Sequence, residues 1–571
     1  MTMLTKWGAA LDRSCPLPEY PRPQLRRESF YNLNGVWDYA VTPSGDEPGV
    51  WDGEIVVPFS PEAPLSGAAR GPAKDEYLHY RRGFTLPEGF QKSRVLLHFG
   101  AVDQIAEVFV NGVSAAKHSG GYWPFSADIT SLLREGENTL RVTVRDNADD
   151  PTFAYGKQRY KRGGMWYTAQ SGIWQTVWLE SVPEVYVKSL RITPEFDEAR
   201  VRIELETALE SSAAITCDVR AADGSFVAGS WAKGGVCVVP LPGFRAWTPD
   251  DPYLYTLDIT CGEDRVESYF AMRKFSYVEL DGHKVFGLNN APLFHNGLLD
   301  QGYYPDGLLT PPSDEAMVND IETMKRCGFN MLRKHIKIEP LRWYYHCDRL
   351  GMIVWQDMVS GGQPYSFLHV SALPTLGKVD LPDQDAKPYG RSGVLSRARF
   401  RREMADTVRL LYNCPCIALW TVFNEGWGQF DALDMANELK KLDPTRFIDH
   451  ASGWQDQGYE EMKSRHIYFR PVKLKNDGRA LALTEYGGYI LAVDGHRWTD
   501  KVFGYRICRN SAALAHDYEK LMLGQVLPHI RKEGLTAAVY TQITDVEEEL
   551  NGLMTYDREV LKIPEETLRE I

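Results

Sequence analysis

Two apolar segments that each end in a glutamate constrain the fold of this chain most. Residues 417–425 read Ile-Ala-Leu-Trp-Thr-Val-Phe-Asn-Glu, and residues 480–485 read Ala-Leu-Ala-Leu-Thr-Glu. Runs without polar alternation are typical of strands buried on both faces of a parallel sheet. If that sheet closes into a barrel, its strands end at the face where barrel enzymes place their catalytic groups. We therefore expect Glu425 and Glu485 at that face.

Length and charge exclude several classes of protein. A chain of 571 residues is too long for one hydrophobic core, so about three domains are expected. The net charge of −13 argues against a nucleic-acid-binding protein. No stretch approaches the ~18 apolar residues of a membrane span, and the nine cysteines are scattered without a CxxC spacing. These features predict a cytoplasmic protein with no membrane partner.

The first half of the chain has the sequence pattern of two β-sandwiches. In residues 139–145 apolar and polar side chains alternate, and Asn111-Gly112 is a strong hairpin signal. Short strands without a long helical stretch predict a jelly-roll β-sandwich over residues 1–182. The same pattern of short strands over residues 183–275 predicts a smaller immunoglobulin-like β-sandwich.

Residues 276–571 change to an alternation of strands and helices. Ser313 is a candidate N-cap, followed by Asp314 and Glu315 in the first turn, and Gly328 is a stop signal. Further helices are predicted over 341–350, 395–412 and 430–442. About eight alternations in this length predict a (β/α)8 TIM barrel, with the Glu425 segment as strand four and the Glu485 segment as strand seven.

Two glutamates facing each other across a barrel mouth are the pair that glycoside hydrolysis needs. One carboxyl group protonates the leaving oxygen, and in a retaining enzyme the other attacks the anomeric carbon. An asparagine directly before the acid, here Asn424, is placed to bond a sugar hydroxyl near the reacting carbon. A single glutamate at a strand end is weak evidence, because acids are also common at helix N-termini and in loops.

Several motifs, in order along nearly the whole chain, resemble glycoside hydrolase family 2, which includes β-galactosidases, β-glucuronidases and β-mannosidases. The segments that carry the likeness are Asn32-Leu-Asn-Gly-Val-Trp37, Tyr80-Arg-Arg-Gly-Phe84, Val108-Phe-Val-Asn-Gly112, Ser171-Gly-Ile-Trp-Gln-Thr-Val-Trp178, Phe329-Asn-Met-Leu-Arg-Lys-His335, Cys347-Asp-Arg-Leu-Gly-Met352, Asn424-Glu425 and Thr484-Glu485-Tyr-Gly-Gly488. The resemblance implies a jelly roll, an immunoglobulin-like domain, a catalytic barrel and retention of anomeric configuration.

The resemblance also implies roles for five residues. Glu425 would be the general acid/base and Glu485 the nucleophile, with Asn424 holding the hydroxyl beside the anomeric carbon. Tyr468 matches the strand-six tyrosine that donates to the nucleophile. Arg333 is placed to keep that nucleophile ionised, because a nearby cation favours the charged form of a carboxyl group.

Five further residues are candidates for substrate binding, each with a structural alternative. His335, Asp357 and Asp300 follow or end predicted strands two, three and one, where a sugar contact and a local hydrogen bond are both compatible with the pattern. His450 and Trp454, near strand five, are candidates for the pocket wall or for packing. The acidic run 547–549 after strand eight is typical of a solvated face.

The sequence constrains the identity of the substrate sugar less than it constrains the type of reaction. We expect a β-galactosidase, with a β-glucuronidase or another β-hexuronidase as the alternative. β-Glucuronidases of this family bind the uronate carboxylate with an Asn-x-Lys motif, and no such motif lies near strand eight. The long β-galactosidases have an acid before Met-Trp in the jelly roll, where this chain has Gly163-Gly164.

The remaining expectations concern ligands and rival classes. We expect a carbohydrate substrate, no cofactor and no metal, because His295, His335 and Asp357 match no zinc spacing. Members of the family commonly form homo-oligomers, and this possibility stays open. The rivals are an inactive carbohydrate-binding protein, since jelly rolls are often lectin-like, and a metal-dependent barrel hydrolase.

Overall fold

The structure is a computed structural model that describes residues 3–209, 214–232, 234–377 and 380–571. The chain forms two β-sandwiches followed by a barrel, as the sequence predicts. The last long strand of the first sandwich ends at Val182, and the first strand of the second begins at Val187. The domain boundaries drawn from the sequence stay predictions, because strand ends do not by themselves define folding units. No helix in the described ranges is long and apolar enough to cross a membrane.

The first sandwich packs a six-stranded antiparallel sheet against a four-stranded one. In sheet order the six strands are Gly53–Val57, Gly35–Thr42, Tyr77–Thr85, Glu137–Arg145, Ile105–Val110 and Val113–Ser119. The four strands are Phe30–Asn32, Val177–Val182, Arg94–Phe99 and Phe125–Asp128. The predicted hairpin at Asn111-Gly112 is confirmed, with both residues in the left-handed region that a two-residue turn requires. Side chains such as Trp37, Tyr80 and Leu140 fill the core between the sheets.

The second sandwich has three and four strands in its two sheets. They are Val187–Glu195, Arg200–Thr207 and Val236–Pro240 in one sheet, and Phe226–Trp231, Ile215–Arg220, Tyr255–Cys261 and Asp264–Phe270 in the other. Alternating burial along Ile215–Arg220 and Tyr255–Cys261 reflects one face packed on the core and one facing outward.

Eight parallel strands form the barrel. Called β1 to β8 in chain order, they are His295–Asp300, Met331–Lys334, Ile353–Asp357, Ile417–Thr421, Phe447–Asp449, Met462–Ile467, Ala480–Gly487 and Leu535–Thr541. They pair in the order 5-4-3-2-1-8-7-6, so the sheet is nearly closed, with its gap between β5 and β6. Every residue of β4 and β7 is buried, as the unbroken apolar pattern predicts.

A small antiparallel sheet closes the barrel at the N-terminal ends of its strands. Its strands are Phe275–Leu280, His283–Leu288 and Ala291–Pro292. The Phe286 ring lies 4.3 Å from that of Phe447 at the start of β5 and 5.1 Å from that of His295 at the start of β1. Because this end is plugged, only the opposite end of the barrel can admit a ligand.

The helices follow the predicted alternation in part. They are Lys6–Ala9, Asp314–Arg326, Leu341–Leu350, Leu373–Thr375, Val394–Leu411, Ala432–Leu442, Ser511–Leu521, Pro528–Glu533 and Glu565–Glu570, with π-helical turns at Leu368–Ala372 and Met522–Val526. The Ser313 cap is confirmed, since its Oγ accepts from the Ala316 N–H at 3.2 Å. The expected eight alternations are not complete, because residues 450–461 and 468–479 connect β5 to β6 and β6 to β7 without a helix.

Short elements complete the chain. The 3-10 turns are Pro23–Leu25, Pro64–Ser66 and Thr130–Leu132, and the two-residue strands are Val102–Asp103, Gln158–Arg159, Tyr167–Thr168, Gly172–Ile173, Tyr489–Ile490 and Arg506–Ile507. Residues 154–156 of the first sandwich lie against the loop after β3, where the Tyr155 and Gly156 N–H groups donate to the Ser360 carbonyl oxygen at 3.1 and 2.9 Å. This contact brings a sandwich segment to the open end of the barrel.

Candidate active site

Glu425 and Glu485 meet at the open end of the barrel. Glu485 lies on β7 and Glu425 follows β4, and one carboxylate oxygen of each lies within 4.8 Å of the other. The plug of the small sheet is at the opposite end of the strands. The structure therefore brings together the two residues that the strand pattern singled out.

Glu425 is held in an uncommon backbone conformation. Its φ of 55° lies in the left-handed region, where non-glycine residues need support from their surroundings. The Glu425 N–H donates to the Ser452 carbonyl oxygen at 2.9 Å, and Trp454 Nε1 donates to the Glu425 carbonyl oxygen at 2.9 Å. The loop after β5 thus fixes the direction in which the Glu425 side chain projects.

Both oxygens of Glu485 have a donor. Arg333 Nη1 donates to Oε1 at 3.1 Å, and the Tyr468 hydroxyl donates to Oε2. The same Tyr468 hydroxyl lies 3.0 Å from Thr541 Oγ1 at the end of β8. These contacts fix the carboxylate plane, which an attacking nucleophile needs.

Arg333 is the centre of the hydrogen-bond network below the two glutamates. Its Nε and Nη2 donate to the two oxygens of Asp357, each at 3.0 Å. Nη2 also donates to Asn424 Oδ1 at 2.8 Å, and Nη1 donates to the Thr484 carbonyl oxygen as well as to Glu485. All five N–H groups of this fully buried guanidinium therefore have an acceptor.

The bond from Arg333 also orients the amide of Asn424. Because Oδ1 accepts from the guanidinium, the Nδ2 group is left as a donor. Asn424 is held at the backbone by a bridge to Ser452, beside Glu425. This arrangement suits the predicted contact with a sugar hydroxyl.

Burial raises the pKa of both glutamates. For Glu425 the groups that oppose this increase are Lys157 first, then His335 and Arg333. For Glu485 the opposing groups include His466, Arg333 and Tyr468, while the negative charge of Glu425 adds to the increase. Two carboxyl groups this close disfavour double ionisation, so the site favours one acid and one carboxylate.

Asp357 and His335 lie beside the pair without touching either glutamate. The Asp357 carboxylate is occupied by Arg333, and its Oδ2 lies 2.9 Å from His335 Nδ1. Burial lowers the pKa of His335 to about 4, so its ring is neutral. The structure therefore places Asp357 as the residue that orients Arg333 and His335.

Asp300 and His450 are not brought to the glutamates. Asp300 accepts from Lys334 at 2.7 Å, and Lys334 lies against Trp343 of the surrounding helix layer, on the opposite face of the strand from Arg333. His450 accepts from the Gln457 N–H at 3.0 Å within its own loop. Trp454, by contrast, bonds the backbone of Glu425 and is part of the site.

His466 is a site residue that the sequence reasoning missed. Its Nδ1 lies 2.8 Å from Glu425 Oε1, and its Nε2 lies 3.6 Å from Glu485 Oε1. The ring therefore stands between the two carboxyl groups. Its position two residues before Tyr468 was an available signal, because alternate residues of a strand share a face.

Lys157 of the first sandwich is a second site residue without a sequence signal. Its ammonium lies 5.6 Å from the centroid of the Trp166 ring and pairs with no carboxylate in the part of the chain that the structure describes. Trp166 in turn makes an edge contact with Trp427, two residues after Glu425, with centroids 5.1 Å apart. Only the docking of the sandwich on the barrel places this lysine near the glutamates.

The acidic run after β8 is not the solvated face that its charge pattern suggests. Glu547, Glu548 and Glu549 are all buried. Glu547 Oε1 accepts from the Thr168 N–H at 2.8 Å, and Glu548 Oε2 accepts from the Gly164 N–H at 2.9 Å. These residues are buried rather than solvated because backbone N–H groups of the first sandwich pack against them and donate hydrogen bonds to them.

Among the residues that the structure describes, two groups of side chains have donor atoms close enough for a metal ion. One is Glu425, His466 and Glu485, where the Arg333 guanidinium, 3.1 Å from Glu485, opposes a further cation. The other is His496, Asp557 and Glu559, of which only Glu559 is exposed. We assign no metal to either group.

Comparison with known proteins identifies the family. The chain matches the models "Glycosyl hydrolases family 2, sugar binding domain" over residues 64–183, "Glycosyl hydrolases family 2" over 185–273, and "Glycosyl hydrolases family 2, TIM barrel domain" over 310–474. The chain belongs to glycosyl hydrolase family 2. This confirms the resemblance drawn from the motifs.

Relatives of this chain carry two different names. A β-galactosidase of Halalkalibacterium halodurans is 23% identical over 502 residues, covering 80% of this chain and 45% of its own length. The human β-glucuronidase is 23% identical over 425 residues, covering 67% of this chain and 61% of its own. The chain spans less than half the length of the curated β-galactosidases of H. halodurans and Thermoanaerobacter pseudethanolicus.

A solved structure has the same fold over nearly the whole chain. The β-glucuronidase of an uncultured Clostridium sp. superimposes with a TM-score of 0.75 at 18% identity, covering 96% of this chain and 98% of the other. At this identity the likeness is one of fold. It supports the order of two sandwiches and a barrel.

Proposed function

We propose that this protein is a retaining exo-β-glycosidase that hydrolyses terminal β-linked sugars. The observation that carries the proposal is the approach of Glu425 and Glu485, with one carboxylate oxygen of each within 4.8 Å. Retaining glycosidases have carboxyl groups roughly 5–5.5 Å apart, whereas inverting enzymes leave room for a water at ~6.5–9.5 Å. The separation here favours retention.

In the first step Glu485 attacks the anomeric carbon while Glu425 gives its proton to the leaving oxygen. The bonds from Arg333 and Tyr468 hold the Glu485 carboxylate in one orientation, so less entropy is lost on attack. Burial raises the pKa of Glu425, which favours the protonated form that a general acid needs.

In the second step Glu425, now a carboxylate, removes a proton from water. The resulting hydroxide attacks the anomeric carbon, the bond to Glu485 breaks, and the sugar leaves with its original configuration. Asn424 would donate from Nδ2 to the hydroxyl beside the anomeric carbon in both steps. Such a bond strengthens as positive charge develops on the sugar ring.

Attack on the terminal sugar is supported by what covers the barrel mouth. The sandwich segment around Gly156 contacts the loop after β3, and Gly164 and Thr168 contact the acidic run after β8. One side of the mouth is therefore walled by the first sandwich. A wall there opposes the binding of an extended sugar chain across the mouth.

For the glycone we propose a β-galactoside. Glu549 is buried, and Glu485 lies close enough for its charge to raise the pKa of the Glu549 carboxyl group. Arg333 is already shared between Asp357 and Glu485. A neutral sugar adds no further negative charge to this acid-rich site, which favours galactose over a uronate.

Lys157 favours a second candidate, a β-glucuronide or another β-hexuronide. Its ammonium is near Glu425 and Glu549 and has no carboxylate partner among the described residues. A uronate carboxylate would supply that partner. Because no Asn-x-Lys motif follows β8, this lysine is the cation that a uronide would use.

The test is initial-rate hydrolysis of p-nitrophenyl β-galactoside, β-glucuronide, β-glucoside, β-mannoside, β-fucoside and α-arabinopyranoside. One dominant β-glycoside, with the β-anomer as the first product in the proton NMR spectrum, is the expected result. A first-formed α-anomer would overturn retention. Turnover of none of the six, together with binding on a glycan array, would favour the inactive carbohydrate-binding protein.

A further inference from the structure

We propose that His466 is a positioning residue that keeps the proton of the general acid, because its Nδ1 accepts a hydrogen bond from the protonated carboxyl group of Glu425. The two atoms lie 2.8 Å apart. The inference rests on the proposed function for the role of Glu425. It adds a residue and a defined proton position that the family motifs do not contain.

The donors around the ring decide which nitrogen carries hydrogen. Arg333 Nη1 lies 3.4 Å from His466 Nε2 but has shorter contacts, at 3.1 Å, to the Thr484 carbonyl oxygen and to Glu485 Oε1. These two acceptors use both hydrogens of Nη1. Arg333 therefore does not require Nε2 to be an acceptor.

The hydroxyl of Ser452 points away from the ring. It donates to Thr484 Oγ1 at 3.0 Å, and its oxygen lies 3.2 Å from His466 Nε2. Nε2 is therefore the donor in that contact. A hydrogen on Nε2 also faces the Glu485 carboxylate at 3.6 Å, where a bare nitrogen would be repelled.

A neutral ring with hydrogen on Nε2 leaves Nδ1 as an acceptor. Burial lowers the pKa of His466 to about 3, so the ring is neutral through the working range of a glycosidase. A contact of 2.8 Å to Glu425 Oε1 then requires the hydrogen to come from Glu425. The geometry assigns the resting proton to the acid of the proposed mechanism.

This arrangement assists both steps of the reaction. When substrate binds, rotation of the Glu425 carboxyl group turns the proton from His466 to the leaving oxygen. Once the proton has left, a bare Nδ1 faces a carboxylate oxygen, and their repulsion favours recapture of a proton from water. His466 thus strengthens Glu425 as the base of the second step.

The charged and titratable groups that face this pair come from several elements of the barrel and from the first sandwich. They are Arg333, His335, Asp357, Tyr468, Glu485, Lys157, Tyr365 and Tyr505. The cations Lys157 and Arg333 lower the pKa of Glu425, and burial raises it. The hydrogen bond to His466 acts in the same direction as burial.

The first experiment measures directly which nitrogen of the His466 ring is protonated, and it does not depend on catalytic activity. In full-length protein labelled with ¹⁵N-histidine, two-bond ¹H–¹⁵N spectra distinguish a bare ring nitrogen from a protonated one. The signal absent from His466→Asn identifies His466 among the 13 histidines. We expect a bare Nδ1 and a protonated Nε2 at pH 7, and a protonated Nδ1 would overturn the proposal.

The second experiment measures the pH profile of kcat/KM. Because the bond stabilises protonated Glu425, its loss lowers the pKa of Glu425 and moves the basic limb to lower pH. We expect a shift of about one pH unit in His466→Phe and His466→Gln, since one net hydrogen bond is worth about one pKa unit. His466→Asn places an amide oxygen where Nδ1 stood, and its basic limb should stay within a few tenths of a unit.

A matched control separates this role from a structural one. His295 is a buried histidine at the plugged end of the barrel, where its Nδ1 accepts from Trp355 Nε1 at 3.0 Å. His295→Asn should lower the unfolding midpoint and leave the basic limb in place. An unchanged or raised basic limb in His466→Gln would overturn the proposal, even if His466→Phe does not fold.

The two experiments distinguish failure of the inference from failure of the proposed function. An enzyme that turns over p-nitrophenyl glycosides but has hydrogen on Nδ1 keeps the proposed function and loses the inference. A protein without turnover but with a bare Nδ1 loses the proposed function and keeps the proton position. Each result therefore supports or overturns one of the two statements.

Discussion

Arg333 Nη2 lies 2.8 Å from Asn424 Oδ1, while Nη1 of the same guanidinium lies 3.1 Å from Glu485 Oε1. One buried cation thus holds both the predicted nucleophile and the amide next to the predicted acid. The spacing between the two halves of the site is set by a rigid planar group. Changes at either end are therefore expected to be coupled.

Replacement of the two glutamates should have unequal effects. We expect Glu485→Gln to lower kcat by about 10⁴-fold or more on every substrate, because the covalent step is lost. Glu425→Gln should keep substantial activity on 2,4-dinitrophenyl glycosides, whose leaving groups need little protonation, and lose about 10²–10⁴-fold on alkyl glycosides. The exposed Glu460→Gln is the control and should match the wild type. Equal and small losses in both variants would contradict the assignment.

Removal of the Tyr468 hydroxyl should shift the acid limb of activity. The Tyr468 bond lowers the pKa of Glu485 against the effect of burial, so Tyr468→Phe raises that pKa. The nucleophile is then protonated at higher pH, and the acid limb of kcat/KM should move up by about one to two units, the worth of a hydrogen bond to a charged group. Tyr486→Phe removes a buried barrel hydroxyl from a contact with Met522 and serves as control. An acid limb that does not move would refute this role of Tyr468.

Loss of the guanidinium should cost stability as well as activity. In Arg333→Met the carboxylates of Asp357 and Glu485 lose their shared cation in a fully buried site. Breaking a buried pair by removing one partner typically costs about 3–5 kcal/mol in the free energy of unfolding. Urea denaturation at pH 7 measures this cost. The double variant Arg333→Met/Asp357→Asn should recover part of the lost free energy of unfolding. If the double variant is as destabilised as Arg333→Met alone, Arg333 and Asp357 are not energetically coupled.

Lys157 separates the two glycone candidates. Lys157 lowers the pKa of Glu425, so Lys157→Gln should raise that pKa and move the basic limb of galactoside hydrolysis upward by a few tenths of a pH unit. For a β-galactosidase, kcat/KM at the optimum should change by less than about fivefold. For a β-hexuronidase, the same variant should lose about 10–100-fold on the uronide, since a charged contact is removed. Lys161→Gln, a change of an exposed lysine in the same segment, is the control.

Much of the fold follows from local patterns. Unbroken apolar runs predict the buried strands β4 and β7, and Asn111-Gly112 predicts its hairpin because few residues tolerate two successive positive φ angles. The Ser313 cap predicts the start of its helix through a bond within one turn. The sequence did not predict that the connections after β5 and β6 lack a helix, because the alternation of strand and helix patterns is a weak guide to short connections.

The sequence alone determined which two glutamates follow unbroken apolar strand patterns, because that signal is local in the chain, and the resemblance to the family added Arg333 and Tyr468. Only the tertiary structure decided that Asp357 and His335 orient Arg333, and that Asp300 faces the helix layer. It also decided that Lys157 reaches the glutamates and that residues 547–549 are buried. These outcomes depend on how the sandwich docks on the barrel and how each strand is rotated in the closed sheet. Contacts of that kind join residues far apart in the chain, so no local pattern records them.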